Sequence, residues 1–394
     1  MLFCYTELMK TVFVGLSGGV DSAVSAYLLK KQGYRVVGVF LKVWEPDFLP
    51  CTSGQDRLDA MRVAAHLEIP FLSYDFEEEY KKSVVDYFIE EYRSGRTPNP
   101  DVACNREIKF GAFWEQAKKE GADFIATGHY AQVREVRDSV RTDTYERTPS
   151  ESSAYARVSE GRSNASVITS ERTLDASSAY ARNKDYKLLR GVDEAKDQSY
   201  FLWTLTQDDL SHTLFPVGEL PKTEVRRIAN EAGLPNATKR DSQGLCFLGH
   251  VDMREFLQHY IPVVPGHLKN TEGEVIGTHD GVQFYTLGER FPLGSGEKLY
   301  VVKKNIDANE LILSPYVEEY GLSAVGNVKE MHWIRSDVQS SLLEAQIRYH
   351  GERIPVSVHG TELRFKKPVQ VAPGQSIVLY NPETDECVGG GVLV

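Results

Sequence analysis

The chain has 394 residues, 41% of them hydrophobic, and a formal net charge of −11. That length allows two or three domains with separate cores, and no stretch approaches the run of about 18 apolar residues that a membrane span needs. The acidic balance argues against indiscriminate nucleic-acid binding but permits a local basic surface. Lys222/Arg226/Arg227, Lys239/Arg240 and Arg364/Lys366/Lys367 are candidates, each read alone as an ordinary solvated face. The opening MLFCYTELMK lacks the charged start and apolar core of a signal peptide and the arginines of a transit peptide, so the expected location is cytoplasmic. Five cysteines (Cys4, Cys51, Cys104, Cys246 and Cys387) are too few and too scattered for a disulfide framework. No C-x-x-C pair is present, so no structural zinc site is expected, and no other metal motif stands out.

Strand and helix signals alternate through residues 11–130. Residues 12–16 read as a strand, followed by an amphipathic helix to about Gln32 that Gly33 ends. Residues 35–41 form a second, buried strand, 57–66 a helix and 71–74 a third strand. Residues 77–92 form a long helix with Val84, Val85, Phe88 and Ile89 at helical spacing. A further helix over 108–120 ends at Gly121, and a short strand over 123–127 runs into Gly128-His129-Tyr130. The alternation predicts an α/β fold on a doubly wound parallel sheet, with its ligand at the carboxyl ends of the strands. The turns at 15–22 and 128–129 lie at such ends.

Residues 135–185 break this pattern. They are rich in Ser, Arg, Thr, Glu and Asp, and they repeat Glu-Arg-Thr, three residues, Ser-Ser-Ala-Tyr-Ala-Arg from Glu146 and again from Glu171. The composition favours a disordered or loosely packed insertion, read as an inert spacer in preference to a substrate-touching arm, in a first domain spanning 1–208. Residues 209–281 read as a small mixed domain with helices at 222–232 and 253–259 around a polar loop at 239–244. From 282 to 394, short β segments at 298–303, 310–313, 345–348, 355–358, 362–365 and 376–380 predict a small β-barrel or sandwich.

The strongest chemical feature is the turn after the first strand, Gly15-Leu16-Ser17-Gly18-Gly19-Val20-Asp21-Ser22. Glycines without side chains let backbone N–H groups approach an anion, and the helix that follows points its positive end the same way. Ser17 and Ser22 add hydroxyls. A Walker A loop would need Gly-Lys-Ser/Thr at its end, and the dinucleotide G-x-G-x-x-G spacing is also absent. The pattern S-G-G-x-D-S resembles instead the pyrophosphatase-type loop of ATP enzymes that release pyrophosphate and adenylate a substrate.

Two cysteines stand in chemical surroundings. Cys104, in Pro98-Asn99-Pro100-Asp101-Val102-Ala103-Cys104-Asn105, is placed just before the helix expected at 108–120, where a thiol's pKa falls. Asp101 lies one short turn away, in reach for acid/base work. Cys246 follows Lys239, Arg240 and a Ser/Gly turn. Cys4 and Cys387 read as small buried hydrophobes, and Cys51 stays ambiguous in a polar loop.

Together these residues resemble the tRNA-specific 2-thiouridylases. The resemblance is carried by S-G-G-V-D-S at 17–22, G-R-T-P-N-P-D-x-x-C-N at 95–105, A-T-G-H-Y at 126–130 and K-D-Q-S-Y-F-L at 196–202. It continues with L-F-P-V-G-E-L at 214–220, D-S-x-G-L-C-F at 241–247, P-G-Q-S at 373–376 and the final G-G-G at 389–391. It covers nearly the whole chain outside 135–185, in order. By this resemblance Gly15, Leu16, Ser17, Gly18, Gly19, Val20, Asp21, Ser22, Leu41 and Gly128 would bind ATP, with Mg2+ expected alongside. ATP would adenylate O2 of the wobble uridine. Cys246 would receive sulfur as a persulfide, Cys104 would act as nucleophile and form a disulfide with Cys246 as sulfur passes to C2, and Asp101 would serve as acid/base. Asn99, Pro100, Asp101, His129, Lys196, Asp197, Gln198, Arg348, Tyr349 and Gln375 would contact the tRNA anticodon arm, and the C-terminal β segments would form a β-barrel. A cysteine desulfurase or sulfur-relay protein would supply sulfur, and a cluster-free persulfide route is the reading adopted over an iron–sulfur site.

The chain departs from the family at Glu289-Arg290-Phe291-Pro292, where the family commonly shows Gln/Glu-Arg-Lys-Gly, which puts one basic contact in doubt. Two alternatives share the first loop. An ammonia-using ligase would have no reason for Cys104 and Cys246 in these settings, and a non-catalytic ATP-sensing RNA-binding protein would tolerate their loss.

Overall fold

The computed structural model describes residues 9–48, 53–136, 185–240, 253–292, 298–316, 322–335 and 342–394. In Thr11–Gly15 (β1), β-branched and aromatic side chains alternate between the two faces of a sheet. β1 pairs in parallel with Arg35–Lys42 (β2) on one side and Phe124–Ala126 (β4) on the other. Phe71–Asp75 (β3) extends the sheet beyond β2, and Thr213–Leu214 (β7) extends it beyond β4, again in parallel. The order β3-β2-β1-β4-β7 reverses direction between β1 and β4, so the loops leaving these two strands open a crevice at the switch point.

Val20–Lys31 (α1) follows β1 and Ser53–His66 (α2) follows β2. Residues 77–93 (α3) and 100–119 (α4) are continuous helices, each interrupted by wider π-type turns, over Lys81–Val85 and Asn105–Ala112 respectively. Two further helices are Gln207–Ser211 (α5) and Lys222–Glu231 (α6). On one face of the sheet Phe13, Val37, Val39 and Ile125 pack with Phe88, Phe110 and Phe113 of α3 and α4. On the other, Val12, Val14, Val36, Phe40 and Ala126 pack with Val24, Ala60, Val225 and Ala229 of α1, α2 and α6. The sheet is covered on both faces, as its apolar strands require.

A second sheet comprises Gly266–Lys269 (β8), Val275–His279 (β9), Arg290–Phe291 (β10), Leu299–Asn305 (β11) and Glu310–Ser314 (β12), with Met253–Gln258 (α7) preceding it. Its order is β10-β11-β12-β8-β9, antiparallel except where β12 meets β8. The boundary expected at 281/282 therefore runs through this sheet. The boundary expected at 208/209 falls ahead of β7 and α6, which belong to the first sheet and its helical layer.

Leu322–Trp333 (β13), Leu343–Gln346 (β14), Arg353–His359 (β15), Glu362–Gln370 (β16), Ser376–Asn381 (β17) and Glu386–Leu393 (β18) are antiparallel in the order β13-β16-β15-β14-β17-β18. The pairing of β13 with β18 closes them into a six-stranded barrel. β18 also pairs with Tyr186–Arg190 (β6), beside which lies Ala131–Glu135 (β5), so the barrel sheet carries a ribbon from the first domain. The described residues up to Arg134 and from Tyr186 onward form one compact unit. The repeat-bearing insertion lies outside the described residues.

One sequence expectation needs correction. The helix expected at 108–120 begins at Pro100, capped by Asn99, whose side chain accepts from the N–H groups of Asp101 and Val102. Cys104 therefore lies inside the helix and not ahead of it. Proline at the first helical position is favourable because its missing N–H would have had no partner.

Candidate active site

At the carboxyl end of β1, Gly15 to Ser22 turn the chain into α1. Ser22 Oγ donates to Gly19 O (3.1 Å) and accepts from Ser17 N (3.3 Å), which tightens the turn. α1 has no side-chain cap at Gly19, so its first-turn N–H groups, which lack intrahelical acceptors, face the loop. Gly18 has φ +76°, and a Cβ there would stand 2.5 Å from Asp56 O. Gly128, at the end of β4, is as constrained: a Cβ would lie 2.7 Å from Ser22 N. Leu41 is half-buried at the end of the neighbouring β2. An uncapped helix end approached by glycine backbones fits a polyphosphate.

Asp21 is the charged centre of this loop. Its carboxylate accepts from Tyr130 Oη (2.7 Å) and from Lys222 Nζ (2.7 and 2.9 Å). Lys222 opens α6, where its backbone N–H donates to Asp193 (2.8 Å). Asn236, buried, donates to Gly18 O at 3.0 Å. Sequence reasoning missed these partners. The basic patch holding Lys222 had been read as a solvated face, yet its side chain is only 13% exposed. Lys239 likewise clamps Asp56 and Asp59 of α2 at 2.7 and 2.8 Å. Burial opposes its charge, but those carboxylates hold its pKa above the ordinary value. Arg226 is half-buried and donates to Ala237 O (2.8 Å) and Lys239 O, whereas Arg227 with Glu224 and Glu231, Arg364 with Glu362 and Lys367 with Glu352 are ordinary pairs.

Asp101 and Cys104 sit on the first turns of α4, Asp101 half-buried and Cys104 buried. The same helix reaches the nucleotide loop. Phe113 lies 3.7 Å from where a Gly15 Cβ would stand, and Phe110 packs on His129, the neighbour of Gly128 (centroids 5.8 Å). Asn105 donates to Phe201 O (3.0 Å), tying α4 to the segment after Lys196-Asp197-Gln198. Cys246 and Cys51 lie outside the described residues. Cys387 is buried in the barrel, where burial pushes its thiol far up.

The residues expected at tRNA fall into two kinds. His129 is buried against Phe110 and Phe215, with Nδ1 2.7 Å from Thr127 Oγ1. Burial, aided by Lys109, pulls its pKa well below the ordinary value, so the ring is neutral. Asp197 is buried on Arg190 (2.9 Å) and on the N–H groups of Gly191 and Ser199. Gln198 accepts from Tyr130 N (3.0 Å), and Pro100 is buried at the helix start. Gln375 is half-buried, with its Oε1 covered. Arg348 is more open, donating to Leu287 O (2.8 Å) and Gln370 (3.1 Å). Tyr349 packs on Phe201 with centroids 4.5 Å apart. Burial, then the carboxylates of Asp197 and Asp101, push its hydroxyl up to about 12. Tyr349 therefore brings Asp101, from the first domain, and a barrel loop into one electrostatic neighbourhood. Beside it Arg190, Asp197, Tyr200, Gln346, His350 and Arg353 line a polar cavity of about 220 Å³.

Three family models match the chain in succession. The model described as tRNA methyl transferase HUP domain matches residues 10–250, tRNA methyl transferase PRC-barrel domain matches 254–315, and Aminomethyltransferase beta-barrel domain matches 326–393. The chain is 43% identical to the tRNA-specific 2-thiouridylase MnmA 2 of Geobacillus kaustophilus, over 97% of this chain and 94% of the relative. It is 41% identical to the tRNA-specific 2-thiouridylase MnmA of Shouchella clausii, over 97% of this chain and 96% of that one. The chain belongs to the tRNA-specific 2-thiouridylase family.

The three matched stretches follow the three sheets of this thiouridylase. Among solved structures, the U34-tRNA thiolase NcsA of Methanococcus maripaludis shares 14% identity over 64% of this chain and 67% of its own. Its TM-score of 0.33 is too low to carry an argument. At the position where the sequence departs from the expected family pattern, Phe291 stacks on Tyr285 with centroids 5.2 Å apart. Among the described residues no helix is long and apolar enough to cross a membrane, and no cluster of His, Cys, Asp and Glu is placed to hold a metal.

Proposed function

We propose that this chain replaces O2 of the tRNA wobble uridine by sulfur in two stages, activation with ATP and transfer from a cysteine persulfide. The observation that carries the reading is that α4, which bears Asp101 and Cys104, packs through Phe110 and Phe113 onto the residues that form the nucleotide loop. The uncapped end of α1 and the Gly18 and Gly128 approaches hold the phosphates of ATP. Uridine O2 attacks the α-phosphorus, pyrophosphate departs, and a poor leaving group becomes AMP. Magnesium would arrive with the nucleotide.

Cys246 carries the incoming sulfur as a persulfide from a sulfur-donor protein. Cys104 thiolate attacks the Cys246 Sγ, the S–S bond of the persulfide breaks, and the terminal sulfur replaces AMP at C2. The resulting Cys104–Cys246 disulfide is restored to two thiols by a cellular thiol reductant, which fits a cytoplasmic setting. Asp101 manages the proton at the base or the departing group. The base is turned out of the anticodon loop to reach this chemistry, and shape and backbone contacts along the barrel and the 196–201 segment select the RNA.

The test is thiolation of tRNA with ATP and a persulfide donor, read by retardation in a mercury-containing gel. Cys104→Ser and Cys246→Ser are each expected to abolish the retarded band. Wild-type product from either variant would overturn the assignment.

A further inference from the structure

The turn 95–99 that leads into α4 is held from outside its own domain. Lys304, near the end of β11 in the middle sheet, donates from Nζ to Gly95 O (2.9 Å) and to Tyr285 O (2.5 Å). Two residues on, Ile306 covers Gly95 so closely that a Cβ there would stand 2.1 Å from Ile306 Cδ1. Thr97 is anchored too, with its N–H donating to Pro373 O of the barrel (2.9 Å) and its hydroxyl 3.1 Å from that of Thr286. Asn99, the cap of the helix that carries Asp101 and Cys104, follows at once.

A half-buried ammonium resting on two carbonyls is a costly choice where an apolar side chain could fill the same space. Among the described residues no carboxylate forms an ion pair with Lys304. Burial draws its pKa down to about 8, with the charge of Glu289 opposing. What the ammonium does that an apolar residue could not is cross-link two backbone segments, 95 and 285, at the root of the catalytic turn.

We propose that Lys304 is a positioning residue for thiolation: from the middle sheet it fixes the entry to α4 and so the placement of Asp101 and Cys104. This rests on the reading that Asp101 and Cys104 carry the chemistry. A residue that only stabilised the middle sheet would change the melting temperature and leave the folded enzyme's turnover intact.

The experiment compares full-length wild type, Lys304→Met, Lys304→Gln and Cys104→Ser in the tRNA thiolation assay. ATP KM, thermal unfolding and peptide-resolved alkylation of Cys104 are measured in parallel. Removal of the tether is expected to lower kcat by about 10- to 100-fold, the upper end being the loss that a displacement of about 1 Å in catalytic groups produces, with ATP KM within about twofold of wild type. Cys104 alkylation is expected to quicken in the same variant. Lys304→Gln, which stays polar but loses the charge and the reach that bridges the two carbonyls, takes the place of Lys304→Met should that variant fail to fold. Unchanged kcat and unchanged Cys104 alkylation in a folded Lys304 variant would overturn the proposal, provided Cys104→Ser is dead in the same assay. Activity retained by Cys104→Ser would overturn the site reading itself.

Discussion

At Asp21 one carboxylate receives a phenol and an ammonium in the loop proposed to bind ATP. Without Lys222 the Asp21 charge would stand uncompensated where a polyanion must bind. Lys222→Met is therefore expected to raise ATP KM by about 10- to 100-fold, matching the ~1.5–3 kcal/mol of a hydrogen bond to a charged group. Asp21→Asn in the Lys222→Met background should recover part of that loss, because the repulsion goes with the charge. Steady-state kinetics of pyrophosphate release would check both, and an unchanged KM in Lys222→Met would sink the assignment. The loop itself was legible in the sequence because its glycines, serines and aspartate are contiguous. Lys222 was not, since its partner lies 201 residues away and a lone lysine at a helix start looks like any solvated charge. His129 shows the reverse failure: its type suggests an exposed contact, and only the packing of Phe110 and Phe215 reveals a covered ring.

At the scale of the element, α4 is what brings a cap, a carboxylate and a thiol into fixed sequence. Asn99→Ala removes the acceptor for two first-turn N–H groups and should cost about 1 kcal/mol of stability, while Asn99→Ser keeps a cap. Chemical denaturation of the two variants separates this from any contact Asn99 makes with RNA, which would lower thiolation in both. Equal stability for Asn99→Ala and wild type would show that the cap is not what starts the helix. The start escaped sequence reading because two prolines flank Asn99 and mimic a loop. The wide turns over Asn105–Ala112 then offset the apolar stripe from a regular helical period. Regular strands such as β11, β12, β15 and β17 announced themselves by composition. β13 mixes exposed and buried positions irregularly, and β18 carries three glycines, so neither reads as a strand until the barrel closes around it.

For the whole molecule, the doubly wound sheet was legible from alternation and the terminal β domain from turn spacing, whereas closure of the barrel by β13 and β18 and the way the domains join were not. The joints are made by residues whose partners are remote, such as Tyr200, whose hydroxyl donates to Ile347 O and Ser376 O of the barrel region. Lys304 gives this interlock a pH dependence. Its folded pKa of about 8 lies below the ordinary 10.5, so between those values the unfolded chain holds the extra proton and stability rises with pH. The phenols of Tyr92 and Tyr349, raised from 10 to about 12, act oppositely, and stability falls above about pH 10 as the unfolded phenols ionise first. Urea midpoints measured from about pH 7 to 10 should therefore climb more steeply for wild type than for Lys304→Met, and parallel curves would refute the assignment. The pairing of β18 with β6 has a further consequence, for synthesis on the ribosome. β6 emerges with the first domain, whereas its partner strand is made only after the middle sheet and the other five barrel strands. Until then the β5–β6 ribbon presents an open edge, the kind of surface that recruits other chains. A polypeptide stalled before β18 is thus left with a sticky seam on its first domain, and closing that seam waits for β18.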